Sequence, residues 1–84
     1  MAGKLSAEER QIFVEAYRYF EKHCTPPANQ GEGAVDWWTS AMEEAATLDN
    51  YWKDYPLMRG LLFAITDYLE IKAKERTKEM NDFV

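Results

Sequence analysis

The chain has 84 residues, a net charge of −5 and a hydrophobic content of 46%. That length admits one domain with a small core, burying about 60–65% of the surface its unfolded chain exposes. Cys24 is the only cysteine, which excludes an intramolecular disulfide, and the acidic balance argues against direct binding of nucleic-acid phosphates or an anionic membrane. No apolar run approaches the roughly 20 residues of a bilayer span, and Met1 to Ser6 lacks the apolar core of a signal peptide, so a soluble cytosolic protein is expected.

The first predicted helix runs from about residue 6 to 24. Ser6-Ala7-Glu8-Glu9 reads as a capping box, in which Ser6 accepts from the Glu9 amide and Glu9 reaches back to Ser6. Ile12, Phe13, Ala16, Tyr17, Phe20 and Cys24 then recur at helical spacing. Thr25-Pro26-Pro27 ends the helix by removing amide donors, and residues 25–33 read as a loop.

A second helix is expected from about 34 to 48, with Trp38, Met42 (or Ala41), Ala45 and Leu48 on its apolar line and Asp49-Asn50 breaking the pattern. Pro56 suits the first position of a third, long helix from 56 to about 78, because its missing amide costs nothing there. Leu57, Met58, Leu61, Leu62, Phe63, Ile65, Tyr68, Leu69 and Ile71 cover more than one face of that helix. Its last turns are charged and should project into solvent. No segment alternates with period two and no hairpin turn is present. The expected fold is all-α: a single three-helix bundle over residues 1–84, antiparallel, with a long third helix.

Trp37, Trp38, Tyr51, Trp52 and Tyr55 crowd one stretch and are interleaved with Glu43, Glu44, Asp49 and Asp54. Such rings bury about 150–250 Å² each, so they either cap the core or form a contact surface, where Trp and Tyr are enriched. Adjacent Trp37 and Trp38 point about 100° apart on a helix and cannot share one narrow stripe. Trp37 is the better candidate for the outside. The partner-binding residues expected on this reading are Trp37, Trp38, Glu43, Glu44, Tyr51, Trp52 and Tyr55.

The third helix carries more apolar surface than a small bundle consumes. Met58, Leu62, Ile65 and Leu69 are the expected homo-oligomer contacts. Gly60 costs roughly 1 kcal/mol against alanine within a helix and marks either a close crossing or a tolerated position. His23 and Cys24 are neighbours in sequence, so they do not face each other as a catalytic dyad. The bland readings are an exposed His23 interacting with the helix dipole and a small core cysteine. Carboxylate pairs such as Asp67 and Glu70 arise readily among fifteen acids. No metal site, cofactor or catalytic residue is expected, and Gly31-Glu32-Gly33 lacks the lysine and preceding strand of a phosphate loop.

Phe13-Val14-Glu15-Ala16-Tyr17-Arg18-Tyr19-Phe20, Val35-Asp36-Trp37-Trp38 and Tyr55-Pro56-Leu57-Met58-Arg59-Gly60-Leu61-Leu62, leading into Asp67-Tyr68-Leu69-Glu70, resemble short acidic helical proteins of phages and mobile elements in Gram-positive gut bacteria. The similarity spans most of the chain. It implies a mobile-element setting but transfers no activity and no functional residue. The expected function is a non-enzymatic, acidic protein-interaction module, in one version an inhibitor of a host defence or nucleic-acid enzyme. The alternative is an oligomer that binds or sequesters a nucleotide, with Arg10, Arg18, Lys53 or Arg59 on phosphates.

Overall fold

The computed structural model describes residues 5–28 and 32–81. It contains three helices, α1 (Ala7–His23), α2 (Glu32–Tyr51) and α3 (Pro56–Asn81), and no strand among the described residues. The all-α three-helix bundle is as the sequence predicts. Part of the predicted 25–33 loop and most of the N-terminal hexapeptide lie outside the described residues.

Each helix starts for a local reason. Ser6 has extended backbone (φ −73°, ψ 162°), and its Oγ accepts from the Glu9 amide at 3.0 Å while its own amide donates to Glu9 Oε1 at 3.0 Å. Two otherwise orphaned amides are thereby satisfied. The bond from the Ser6 amide is also the first cause of a Glu9 carboxyl held below its ordinary pKa. α2 begins two residues earlier than expected, at Glu32. It also runs on through Asp49 and Asn50 to Tyr51. Asp49 does not terminate it because its carboxylate is engaged elsewhere, accepting two bonds from Arg59 of α3 at 3.1 Å each. The Trp52 amide still donates to the Leu48 carbonyl at 3.0 Å, after which Tyr55→Trp52 and Met58→Tyr55 backbone bonds turn the chain into α3.

α1 and α3 run parallel, and α2 runs antiparallel to both. The contacts fix this order: Phe20 meets Tyr68 and Cys24 meets Lys72 between α1 and α3, whereas Glu15 meets Trp52 and His23 meets Trp37 between α1 and α2 or its end. The core is thin. Ile12, Ala16 and Tyr19 of α1 pack with Met58 and Leu62 of α3, and Ala45, Leu48, Trp52, Leu57, Leu61 and Ile65 close around them, half-buried. Leu69 and Ala73 continue the buried line of α3 toward its C-terminal end.

This line corrects the expectation for α3. Met58, Leu62 and Leu69 are buried within the monomer, and Ile65 is half-buried, so these four do not form an outer assembly face. They share one helical stripe, at i, i+4, i+7 and i+11, and α1 occupies it. Among the described residues, the large apolar side chains that α3 leaves exposed are Phe63, Tyr68 and Ile71. Gly60 is likewise no crossing point inside the monomer, because a Cβ built there meets nothing within 4 Å.

Leu69→Ala removes a fully buried side chain and should cost about 2–5 kcal/mol in denaturant unfolding. A loss below about 0.5 kcal/mol, the usual scale for surface substitutions, would place this line outside the core.

Candidate functional site

α2 has an unusual charge composition. Five of the chain's fifteen acids lie in it, with no lysine or arginine, so the remaining ten acids are matched by all ten bases. The whole net charge of −5 therefore belongs to one helix.

Its neighbours neutralise part of that charge, one from each side. Arg59 of α3 holds Asp49 in a two-pronged pair, which keeps the Asp49 carboxyl below its ordinary pKa. From α1, Lys22 donates to Glu44 Oε1, and His23 Nε2 lies 2.6 Å from Glu44 Oε2. The bond from Lys22 first, and that from His23 second, hold the Glu44 carboxyl below its ordinary value. Asp36 and Glu43 are both exposed, lie two turns apart on one face, and carry no ion pair among the described residues.

His23 is the residue that sequence reasoning placed differently. It is 6% exposed, not a solvated partner of the helix dipole. The Tyr19 ring lies 4.8 Å from its ring, and the Trp37 ring meets it edge-on at 5.7 Å. The Tyr19 hydroxyl donates to the Ala41 carbonyl at 2.8 Å, and burial followed by the Glu44 charge pushes its pKa up. The sequence held one usable signal for this cluster. His23 is spaced four and seven residues from Tyr19 and Ala16, on the stripe that Ile12 begins.

The aromatic segment does not form one patch. Its first half gathers at the start of α2, where Trp37 and Trp38 stack edge to face at 4.8 Å, both half-buried. Trp37 turns toward α1 through His23. Trp38 lines an open depression with Thr39, Met42, Glu43 and Ala46. The second half sits at the far end of α2. There Trp52 lies between Tyr51 and Tyr55, with centroids at 5.2 and 5.5 Å, and its indole N–H donates to Glu15 Oε1 at 3.0 Å. Trp52 packs against the core, Tyr55 is exposed at the turn, and Tyr51 is 74% exposed. Of the expected contact residues, Glu43 and Tyr51 face solvent, Trp38 lines the depression, and Glu44, Trp37 and Trp52 hold the helices together.

A second groove, of about 160 Å³, lies between α2 and α3 and is lined by Met42, Ala45, Ala46, Asp49, Arg59, Leu62, Phe63 and Thr66. It shares Met42 and Ala46 with the Trp38 depression, so the two form one trough. Its walls are apolar, with Phe63 63% and Met42 41% exposed, and the Asp49–Arg59 pair closes one end. Among the described residues, no three His, Cys, Asp or Glu side chains are placed to hold a metal ion, and no helix is long and apolar enough to cross a membrane. Comparison of the chain with protein-family models, curated proteins and solved structures finds no match.

The Glu44 cluster sets a pH dependence. A carboxyl held below its ordinary value of 4.5 stabilises the fold fully above that pH, and loses the contribution as pH falls through the lowered folded value. The gap in Tm between the parent and Glu44→Gln should therefore be widest near neutrality and shrink on acidification below pH 4.5, the ordinary value. A gap that stays constant down to about pH 3 would show that the cluster adds no charge-dependent stability.

Proposed function

We propose that this chain is a non-catalytic interaction module that binds a basic protein partner through the outer face of α2 and the trough beside it. The observation that carries this is that Asp36 and Glu43, the outward acids of α2 with no ion pair among the described residues, lie beside an open apolar trough. Surface charge of one sign steers a partner of the other and sets orientation, while buried apolar and aromatic contacts supply most of the affinity. Asp36 and Glu43 supply the first, since neither is spent on an internal pair among the described residues. Trp38, Met42 and Phe63 supply the second. A trough bordered by two helices suits an amphipathic helix laid along it, with apolar anchors one turn apart and lysine or arginine over Glu43.

A nucleic-acid enzyme with a basic channel is a partner class of this chemistry. An acidic helix occupying such a channel would inhibit the enzyme, in keeping with the mobile-element setting that the sequence resemblance implies. The nucleotide-sequestering reading has less support, because Arg59, one of its four candidate cations, is committed to Asp49.

The test is photocrosslinking in a bacterial lysate from a reactive residue at position 39, on the rim of the Trp38 depression. It is followed by titration of the purified captured protein. Trp38→Ser and Glu43→Lys should each weaken that binding by about ten-fold or more, at unchanged helical content. Equal affinity for parent and both variants would remove the trough as the contact surface.

A further inference from the structure

We infer that the α1–α3 face turned away from α2 is the seat of a second copy of this chain, paired antiparallel about a two-fold axis. α2 engages α1 through Glu15 (by way of Trp52), Tyr19, Lys22 and His23, which occupy one side of that helix. Phe13, Tyr17 and Phe20 occupy the other side, where Phe20 meets Tyr68 of α3 at 6.0 Å. Phe13 is 49%, Tyr17 62%, Tyr68 49% and Ile71 53% exposed, although they sit on or beside one parallel helix pair. Lys72 closes the end of this face, donating to the Cys24 carbonyl with its ammonium 5.8 Å from the Phe20 ring and 5.6 Å from the Tyr68 ring.

A standard stable interface covers about 800 Å² on each partner, an area that a face shared by two packed helices can supply.

The charges on α1 select the occupant and its direction. Arg10, Val14, Tyr17 and Glu21 form one line at 4-3-4 spacing, all exposed, with the cation at one end and the anion at the other. An antiparallel copy of the same helix places Arg10 of each chain against Glu21 of the other and Val14 against Tyr17. The reciprocity is that of a two-fold interface.

The register of α3 agrees. The Phe20–Tyr68 and Cys24–Lys72 contacts set α3 level with α1 at an offset of 48 residues. An axis that pairs Arg10 with Glu21 passes α1 between residues 15 and 16, and α3 therefore beside Ala64. Ala64 and Gly60, one turn apart, are both exposed, and a Cβ at Gly60 meets nothing in the monomer. Small residues at that point allow the two α3 helices to approach where they cross. This gives Gly60 a role that nothing inside the monomer supplies.

Sedimentation equilibrium of the full chain tests the pairing. A dimer of twice 9.8 kDa is expected. Ala64→Arg, a solvent-facing change in the monomer, should raise the dimer Kd about ten-fold or more while circular dichroism stays helical. Arg10→Glu should also weaken the dimer, and adding Glu21→Arg to it should restore the parental Kd, a rescue that damage to the fold would not produce. A monomer at all concentrations up to about 1 mM, where Kd corresponds to only about −4 kcal/mol, overturns the inference. So does a dimer indifferent to Ala64→Arg and to the charge swap, or one broken by Trp38→Ser instead, which would move the contact to the trough of α2.

Discussion

Beside the buried Ala34 and Ala41, α2 is fastened to its neighbours by a set of polar contacts that fixes where its faces point. The tightly packed centre belongs to α1 and α3, where Ile12, Ala16 and Tyr19 meet Met58 and Leu62. α2 contributes only half-buried Ala45 and Leu48 to this centre. Its attachment runs through the Tyr19 hydroxyl on the Ala41 carbonyl, Lys22 and His23 on Glu44, and Arg59 on Asp49. At the far end the Trp52 indole on Glu15 adds a fourth point. The Tyr19, His23 and Trp52 bonds are buried or part-buried and the Lys22 and Arg59 pairs are exposed; such contacts fix a geometry more than they supply net stability, since each replaces a bond to water. They do make the geometry costly to change, because a broken one leaves His23 or Tyr19 buried without a partner.

Polar attachment also accounts for the distribution of apolar surface. A helix held by its neighbours' cations and hydroxyls need not turn its whole apolar stripe inward. Trp38, Met42 and Ala46 remain on the α3 side as the wall of an open trough, with Phe63 across from them. The acidity of α2 serves both purposes. Glu44 and Asp49 are the inward members, each balanced by a cation from another helix, and Asp36 and Glu43 are the outward ones.

Much of the fold was legible in the sequence because its signals are local. The capping box at Ser6, the Thr25-Pro26-Pro27 stop and Pro56 at the head of α3 each act within one turn of chain, and each appears where expected. What could not be read depends on partners distant in sequence. Asp49-Asn50 looks like a helix end until Arg59, ten residues on, takes up the aspartate. His23 looks like a surface residue at a helix terminus until Trp37 and Glu44 arrive from α2. α3 carries apolar residues on several faces, and periodicity alone cannot rank them. The stripe judged outermost, Met58-Leu62-Ile65-Leu69, proved to be the one that α1 covers. Closeness in sequence does not make the aromatic segment one patch. α2 is 20 residues long, so at 1.5 Å per residue its two ends stand about 30 Å apart, and the two aromatic groups about 20 Å.

The trough between α2 and α3 and the outer face of α1–α3 are different faces of the bundle, and both use α3. A two-fold pair joined through α1 and α3 would present two acidic α2 faces, pointing away from the joint. Such an arrangement turns a small module of modest affinity into a bivalent one, whose second contact forms at the effective concentration set by the rigid spacing of the first. Bivalency is lost where the geometry forbids simultaneous engagement, so the arrangement favours partners that are themselves paired or repeated. On the proposed reading, the apolar surfaces that the monomer leaves exposed, Trp38, Met42 and Phe63 on one face and Phe13, Tyr17 and Ile71 on another, are the ones further chains would cover.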